Sequence, residues 1–426
     1  MLKNVLVAQS GGPSPVINAS LAGVLDACFE GGEFGEVYAA WHGIEGVLKE
    51  ELIDMRKQDP GELRLLRKTP AAGAIGTCRY KLGAGREEDF ARILEVLQAH
   101  DVGYFFYIGG NDSMDTAAKV SDLARERGYG LTVAGIPKTI DNDVGDAEFK
   151  LLDHTPGYGS AARYWASVIQ NVNEENRGIS VSECVCVLQA MGRKTGFITA
   201  AARLGDPRRE APLLMFFAET GHGIEDLTER VNAMLLREGR CIVVVNEGFN
   251  AGSVGEAMDG FGHVEYGASE TNAAQLVVNH LNRVGLPARG QATGQLPGVL
   301  QRIVSIHASK VDLEEAYMAG AKAVEVALRD GTGWMSTILR KPGDKYAAYY
   351  GKVELARVAN TVRHLPDGWI TPDGTDVTDD FIRYAQPLIG DGWPDVEIER
   401  GLQRFARLDI RLIDKKCPPY TPCGMR

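Results

Sequence analysis

The chain has 426 residues, with 46 Lys and Arg against 57 Asp and Glu, so its formal net charge is −11. Hydrophobic residues make up 44% of the chain and charged residues 24%, which is typical of a soluble globular protein. A single hydrophobic core stops growing at about 250–300 residues, so this length predicts two domains. The acidic balance argues against binding to nucleic acid or to an anionic membrane, since both need a basic surface.

The chain shows no pattern typical of export, membrane insertion or structural zinc. No apolar run approaches the roughly 18 residues that span a bilayer, and the first ten residues predict a strand and not a signal peptide. The seven cysteines are scattered and form no CxxC pair, which is typical of reduced thiols. The eight histidines show no zinc-ligand spacing. We therefore expect a cytoplasmic protein.

Short apolar runs alternate with amphipathic helical patterns along most of the chain. The predicted strands are 3–9, 103–108, 131–136, 183–189, 213–217 and 241–246. The predicted helices are 18–30, 86–100, 113–127, one that ends at 202 and one that begins at 224. Strands that alternate with helices predict an α/β fold with parallel sheets covered by helices on both faces.

A polar loop at 138–145 predicts a domain boundary. We expect an N-terminal α/β domain at 1–145, completed by part of 270–310, and a second α/β domain at 146–330. The alternating pattern weakens after Gly331, which predicts a C-terminal extension at 331–426 packed on the two domains. Its acidic, turn-rich stretch 367–380 is expected to be a surface excursion.

Glycine-containing polar loops follow the first two of these strands, and in doubly wound sheets ligands bind beyond the carboxyl ends of strands. Gly11 and Gly12 permit close backbone approach, and the helix that starts near Asn18 offers unpaired N–H groups to an anion. A tight turn without a ligand fits this loop equally well. In the second loop Asp112 would repel a phosphate, which indicates either a metal site or, as the favoured interpretation, a turn capped by Ser113.

The third strand ends in PKTIDND at 137–143. Lys138, Asp141 and Asp143 place two carboxylates beside a lysine, which suits a general base combined with charge neutralisation. A solvated, Asx-rich turn is the alternative interpretation for Asn142 and Asp143.

Residues 157–162, GYGSAA, fit the GxGxxA pattern of dinucleotide-binding loops. That pattern indicates a cofactor only when a strand precedes it, and here the preceding residues are DHTP. A nicotinamide-dependent oxidoreductase is therefore a remote alternative. The chain also lacks the GxxxxGKS or GxxxxGKT pattern of ordinary nucleotide P-loops.

Five motifs occur together in one order along the chain. They are GGPSPVIN at 11–18, GGNDS at 109–113, PKTIDND at 137–143, MGR at 191–193 and NEG at 246–248. In this order and spacing the chain resembles the phosphofructokinase family over roughly residues 3–330, and most closely its pyrophosphate-dependent branch. The resemblance implies two Rossmann-like domains with the active site in the cleft between them.

The resemblance also implies a reversible, Mg²⁺-dependent reaction. A phosphoryl group passes from pyrophosphate to the 1-hydroxyl of fructose 6-phosphate, which gives fructose 1,6-bisphosphate and orthophosphate. It further implies a homodimer or homotetramer. An ATP-dependent 6-phosphofructokinase and a non-catalytic regulatory subunit of the same fold are the alternatives.

The same resemblance implies roles for individual residues. Gly12 and Arg79 would contact the phosphoryl donor, and Asp141 would take the proton of the sugar hydroxyl. The other residues implied in binding fructose 6-phosphate are Thr139, Ile140, Met191, Gly192, Arg193, Glu247, which holds sugar hydroxyls, and Arg302, which grips the 6-phosphate.

Two charged positions bear on the choice of donor. ATP-using members of the family have glycine at the positions of Asp112 and Lys138. The resemblance implies that the Asp112 carboxylate occupies the place of the ATP α-phosphate and repels it, while Lys138 stabilises the transferring phosphoryl group. Asn111 replaces the aspartate that usually holds Mg²⁺, and its carbonyl oxygen is still a hard ligand.

Overall fold

The computed structural model describes residues 2–70, 73–83, 85–250 and 272–425. In chain order the strands are β1 (Asn4–Gln9), β2 (Val37–Ala40), β3 (Leu52–Asp54), β4 (Val102–Gly109), β5 (Thr132–Pro137), β6 (Val185–Ala190), β7 (Leu213–Phe216), β8 (Cys241–Asn246), β9 (Ala292–Gln295), β10 (Trp334–Arg340), β11 (Ala348–Glu354), β12 (Ile398–Glu399) and β13 (Leu402–Gln403). The six predicted strands lie within two residues of the corresponding bounds.

The helices are α1 (Ile17–Glu30), α2 (Ile44–Lys49), α3 (Pro60–Leu66), α4 (Glu87–Ala99), α5 (Asn111–Glu126), α6 (Tyr158–Ile179), α7 (Phe197–Ala201), α8 (Ile224–Glu238), α9 (Ala273–Val284), α10 (Lys310–Asp330), α11 (Leu355–Val358) and α12 (Asp379–Ile389). Short 3-10 turns cover Ala202–Gly205, Gly298–Arg302, Ser305–His307, Asp367–Trp369 and Cys423–Met425. Within the described part of the chain, no helix is both long and apolar enough to cross a membrane.

The strands form a larger sheet with the order β11-β10-β5-β4-β1-β2-β3 and a smaller sheet with the order β7-β8-β6-β9. The smaller sheet is parallel throughout, and so is the larger sheet from β10 to β2. The predicted α/β fold is confirmed, with one correction: β3 and β11 are antiparallel edge strands. The β10–β11 connection, residues 341–347, is too short for the crossover that a parallel pair needs.

The domain limits stay a prediction: 1–145, 146–330 and 331–426. Strands of the larger sheet come from both ends of this range. The larger sheet includes β10 and β11, which lie beyond residue 330. The predicted completing segment 270–310 contains β9, which pairs with β6 of the smaller sheet. Residues 270 and 271 of that segment lie outside the described residues.

Helices α1 and α10 pack directly against each other on the larger sheet. A Cβ atom on Gly23 would lie 1.9 Å from the backbone oxygen of Tyr317, and one on Gly320 would lie 2.2 Å from that of Ser20. Only glycine permits backbones to approach this closely. Ala319 and Ala323 of α10 therefore join the same buried core as the strands of this sheet.

The acidic stretch 367–380 is only in part the predicted surface excursion: residues 367, 368, 372, 373, 379 and 380 are exposed, but residues 374, 375 and 377 are buried. Val377 is fully buried, and the N–H of Met215 in β7 donates to the backbone oxygen of Thr375 at 2.9 Å. The carboxylate of Asp376 accepts two hydrogen bonds from Arg203, at 2.9 and 3.0 Å. The acidic residues of this stretch thus include a partner for a buried arginine, which composition alone does not reveal.

The last residues form a further long-range contact. Residues 404–424, which we term the C-terminal strap, run along the larger-sheet side of the molecule. Gln58 exchanges hydrogen bonds of 2.7 and 3.0 Å with the backbone of Asp409, and Ile413 donates from its N–H to the oxygen of Leu52 at 2.9 Å.

Candidate active site between the two sheets

A cavity of about 560 Å³ lies where the carboxyl ends of strands from both sheets meet. Loops after β1, β4 and β5 form its larger-sheet wall, and loops after β6 and β8 form its smaller-sheet wall. The predicted site residues that line it are Gly12, Arg79, Asn111, Asp112, Lys138, Thr139, Ile140, Asp141, Met191, Arg193, Glu247 and Arg302. Gly192 is the one predicted residue that does not line the cavity; it lies behind the wall and is buried.

The loop after β1 is held by the segment that carries Arg79. The N–H of Gly11 donates to the backbone oxygen of Cys78 at 2.9 Å, and the Thr77 hydroxyl donates to the oxygen of Gly11 at 2.7 Å. Gly11 has a φ of +79°, and a Cβ atom on Gly12 would lie 1.7 Å from Nη1 of Arg302. The two glycines thus permit the turn and the close approach of a guanidinium group.

Lys138 follows β5 and is 4% exposed. Its Nζ donates to the backbone oxygen of Gly12 at 2.9 Å, so the ammonium lies beside the loop after β1. Burial, together with the charges of Arg302 and Arg79, lowers the pKa of Lys138 to about 7, while Asp141 opposes that shift. The lysine can therefore change its protonation state near neutral pH.

Asp141 and Asp143 line the cavity after β5. The backbone N–H of Asp141 donates to the Thr139 hydroxyl at 3.1 Å, which fixes the turn. Burial raises the pKa of Asp141 against the lowering effect of nearby cations, of which Arg193 contributes most. Burial and the Asp141 charge raise the pKa of Asp143 to about 7.

Between these two carboxylates, Asn142 has a φ of +58°, in the left-handed region. The buried Arg363 supports this conformation by donating to the Asn142 backbone oxygen at 3.0 Å and to its side-chain oxygen at 2.7 Å. A further bond from Arg363 to the oxygen of Leu152, at 2.6 Å, ties the loop to the chain that follows it. The guanidinium also lies over the ring of Phe149, 4.3 Å from its centroid.

The loop after β4 leads into α5 without a side-chain cap, because Gly110 is its N-cap and Ser113 lies inside the first turn. This corrects the predicted cap. Asn111 donates from Nδ2 to the backbone oxygen of Thr361, while its buried Oδ1 has no hydrogen-bond partner among the described residues. The Asp112 carboxylate lies 3.4 Å from Nζ of Lys81.

The smaller-sheet wall is organised by backbone N–H groups. Gly192, with a φ of +105°, donates to Oε1 of Glu247 at 3.1 Å, so its role is to position that carboxylate. The N–H of Met191 donates to Oε1 of Gln301 at 2.9 Å, and the Trp165 indole donates to the same oxygen at 2.9 Å. Gln301, the residue before Arg302, is thereby tied to the loop after β6 and to α6.

The family model described as Phosphofructokinase matches residues 4–327 of this chain. The chain belongs to the phosphofructokinase family. The pyrophosphate--fructose 6-phosphate 1-phosphotransferase of Halomonas elongata is 37% identical to it, over 98% of this chain and 99% of that protein. The protein of the same name from Methylococcus capsulatus is 38% identical, over 92% of this chain and 93% of its own length.

A solved structure agrees with this assignment. The crystal structure of the pyrophosphate-dependent phosphofructokinase from Nitrosospira multiformis matches with a TM-score of 0.85 and 36% identity. The match covers 98% of this chain and 100% of that one.

The GYGSAA segment forms no cofactor loop in this phosphofructokinase-family fold. It begins α6, and the N-terminal N–H groups of that helix are already used. Gly157 and Ser160 each donate from the backbone to the Asp312 carboxylate at 2.8 Å. A carboxylate of the chain itself therefore fills the place where a dinucleotide would put its pyrophosphate.

Sequence reasoning missed several residues that line the cavity of this family member: Lys81, Lys194, Asn360, Thr361 and Val362. Lys81 could have been found, since it stands two residues after Arg79 and adds a second cation to the same segment. The segment 360–362 carries no comparable signal, because it reaches the cavity only through long-range packing.

Proposed function

We propose that the chain transfers a phosphoryl group from pyrophosphate to the 1-hydroxyl of fructose 6-phosphate, as the names of its relatives indicate for those proteins. The observation that carries the choice of donor is that Asp112 and Lys138 both line the cavity, with Lys138 beside the loop after β1. Asp112 disfavours the α-phosphate of ATP by like-charge repulsion, and Lys138 favours the compact pyrophosphate.

The charges of the cavity support two phosphorylated substrates. Six cationic side chains line it against four carboxylates, although the chain as a whole carries a net charge of −11. The cations are Arg79, Lys81, Lys138, Arg193, Lys194 and Arg302, and the carboxylates are Asp112, Asp141, Asp143 and Glu247. A local excess of cations attracts anionic ligands even on an acidic protein.

Asp141 acts as the general base in this proposal. Its carboxylate takes the proton from the sugar 1-hydroxyl, and the hydroxyl oxygen forms a bond to the terminal phosphorus of pyrophosphate. The bridging P–O bond breaks, and orthophosphate leaves. The buried ammonium of Lys138 and the guanidinium of Arg79 offset the charge of the transferring group.

Mg²⁺ fits the loop after β4. The buried Oδ1 of Asn111 lacks a hydrogen-bond partner among the described residues, and Asp112 adds a carboxylate next to it in the chain. Mg²⁺ commonly takes one or two protein oxygens together with substrate phosphates. When bound, it would neutralise charge on the donor phosphates.

We also propose a homo-oligomer, most simply a two-fold dimer. Val299, Leu300 and Ile306 are 48%, 49% and 56% exposed, and they flank Arg302. Burial of this surface against a second copy would shield apolar area and close the cavity next to that arginine. We expect a dimer or larger assembly in sedimentation at micromolar concentration. A fully active monomer would contradict this part of the proposal.

The proposed activity is tested with purified protein, fructose 6-phosphate and Mg²⁺, with pyrophosphate and ATP supplied in separate reactions. We expect formation of fructose 1,6-bisphosphate with a higher kcat/KM for pyrophosphate than for ATP. Equal or better use of ATP would support an ATP-dependent kinase instead. Turnover with neither donor would favour a regulatory subunit.

A further inference from the structure

Lys81 lines the cavity but has no role in the steps described above. Its Nζ lies 3.4 Å from Oδ1 of Asp112, and the two side chains are 45% and 26% exposed. The ammonium thus faces the donor end of the cavity, where the loop after β1 and the loop after β4 come together.

The backbone around Lys81 is firmly anchored although its side chain is exposed. Arg86 donates from Nη1 to the backbone oxygen of Lys81 at 2.6 Å, and its guanidinium lies 4.5 Å from the ring centroid of Tyr80. The Tyr80 hydroxyl donates to Asp89 at 2.6 Å and accepts from the N–H of Gly424 in the C-terminal strap at 2.8 Å. The side chain of Lys81 can therefore move while its Cα position stays fixed.

The position of Asp112 creates an electrostatic problem that this lysine can solve. A carboxylate that repels the α-phosphate of ATP also repels pyrophosphate, which carries a high charge on few atoms. A cation beside the carboxylate reduces that repulsion. Because an ion pair this exposed is weak, the ammonium can turn towards a phosphate oxygen at small cost while it stays close to Asp112.

We propose that Lys81 is a further donor-binding and specificity-determining residue. Without ligand it neutralises Asp112, and when pyrophosphate binds its ammonium contacts a phosphate oxygen of the donor. This inference rests on the proposed function, because it assumes pyrophosphate as the donor.

The test compares Lys81→Met with the parent enzyme in steady-state assays. We expect KM for pyrophosphate to rise about 10- to 100-fold, the range for losing a hydrogen bond to a charged group. We expect kcat and KM for fructose 6-phosphate to stay within about threefold, because only donor binding is affected. Lys81→Arg keeps the cation and should restore most of the donor affinity.

Lys68→Met is the matched control. Lys68 is also exposed and ion-paired, with its Nζ 2.7 Å from the Asp395 carboxylate, but it does not line the cavity. This variant should match the parent in every kinetic parameter. Calorimetric titration with pyrophosphate alone should show the affinity loss in Lys81→Met and not in Lys68→Met.

The outcomes separate the inference from the proposed function. If the parent does not turn over pyrophosphate, the proposed function fails. If the parent does turn it over and Lys81→Met keeps its KM for pyrophosphate, only the role of Lys81 is overturned. An equal rise in both KM values would likewise overturn it, because that pattern indicates general damage to the segment.

Discussion

The larger-sheet wall of the cavity holds Lys138, Asp141 and Asp143 where burial shifts their pKa values, whereas the smaller-sheet wall positions Glu247 through the N–H of Gly192. Groups with displaced pKa values are typical of sites where protons move. A carboxylate held by a peptide N–H is suited to binding a hydroxyl in a fixed orientation. From this comparison we expect the chemical step to depend on the larger-sheet wall and substrate orientation to depend on the smaller-sheet wall.

The strongest test of this division is Asp141→Asn. The amide keeps the shape of the side chain but cannot accept the hydroxyl proton, so kcat should fall about 10²- to 10⁴-fold while substrate affinity stays near that of the parent. Turnover rates and substrate binding are measured on the same preparation. A kcat close to the parent value would remove Asp141 from the role of base.

Asp112→Gly should change donor discrimination. A like charge a few ångströms away costs roughly 1–4 kcal/mol. At about 1.4 kcal/mol per decade, we expect the ratio of kcat/KM for pyrophosphate to that for ATP to fall by about one to three decades. The absolute activity with ATP should nevertheless stay low, because removal of a carboxylate creates no adenosine pocket. An unchanged ratio would mean that Asp112 does not select the donor.

The lowered pKa of Lys138 predicts that kcat/KM for pyrophosphate depends on pH. Its pKa, lowered to about 7 by burial and by neighbouring cations, leaves the ammonium intact below that pH and removes it above. Since kcat/KM reports the free enzyme, kcat/KM for pyrophosphate should fall above pH 7 by up to about tenfold per pH unit. Lys138→Arg, charged at every accessible pH, should abolish this fall in kcat/KM above pH 7.

Lys138→Met should lower kcat more than it raises KM for pyrophosphate.

Glu247→Gln should have the smallest effect, because it changes the smaller-sheet wall. The amide oxygen can still accept from Gly192, but its hydrogen bonds to the sugar are weaker without the charge. We expect KM for fructose 6-phosphate to rise about fivefold, corresponding to roughly 1 kcal/mol, with kcat nearly unchanged. A large loss of kcat would show that the smaller-sheet wall also takes part in the chemical step.

The loops that follow strands were predictable because strand, glycine turn and polar residue stand next to each other in the chain. Gly12, Asp112, Lys138 and Asp141 all line one cavity, as parallel strands with a common carboxyl edge require. The predicted Ser113 cap was wrong. The N-cap is Gly110, and α5 begins at Asn111, two residues before the predicted helix start at Ser113. A helix start set by glycine gives no side-chain signal.

The parts that could not be predicted depend on residues far apart in sequence. Arg363 supports Asn142 from 221 positions away, and Gly424 reaches Tyr80 across 344 positions. Neither contact leaves a periodic pattern in the sequence, because each joins two single residues that are far apart along the chain. The contact of Asp376 with the buried Arg203 belongs to the same class, since the acidic surroundings of Asp376 suggested solvent.

The strand order of the larger sheet also determines when each part of the molecule can be completed during synthesis. The smaller sheet lies within residues 185–295, whereas the larger sheet begins with β1 and needs β10, at Trp334–Arg340, to pair with β5. Until that segment leaves the ribosome, the edge of β5 carries unpaired backbone N–H and C=O groups. The smaller sheet is therefore complete first, and β5, which ends at Pro137, waits for a partner strand that begins only at Trp334.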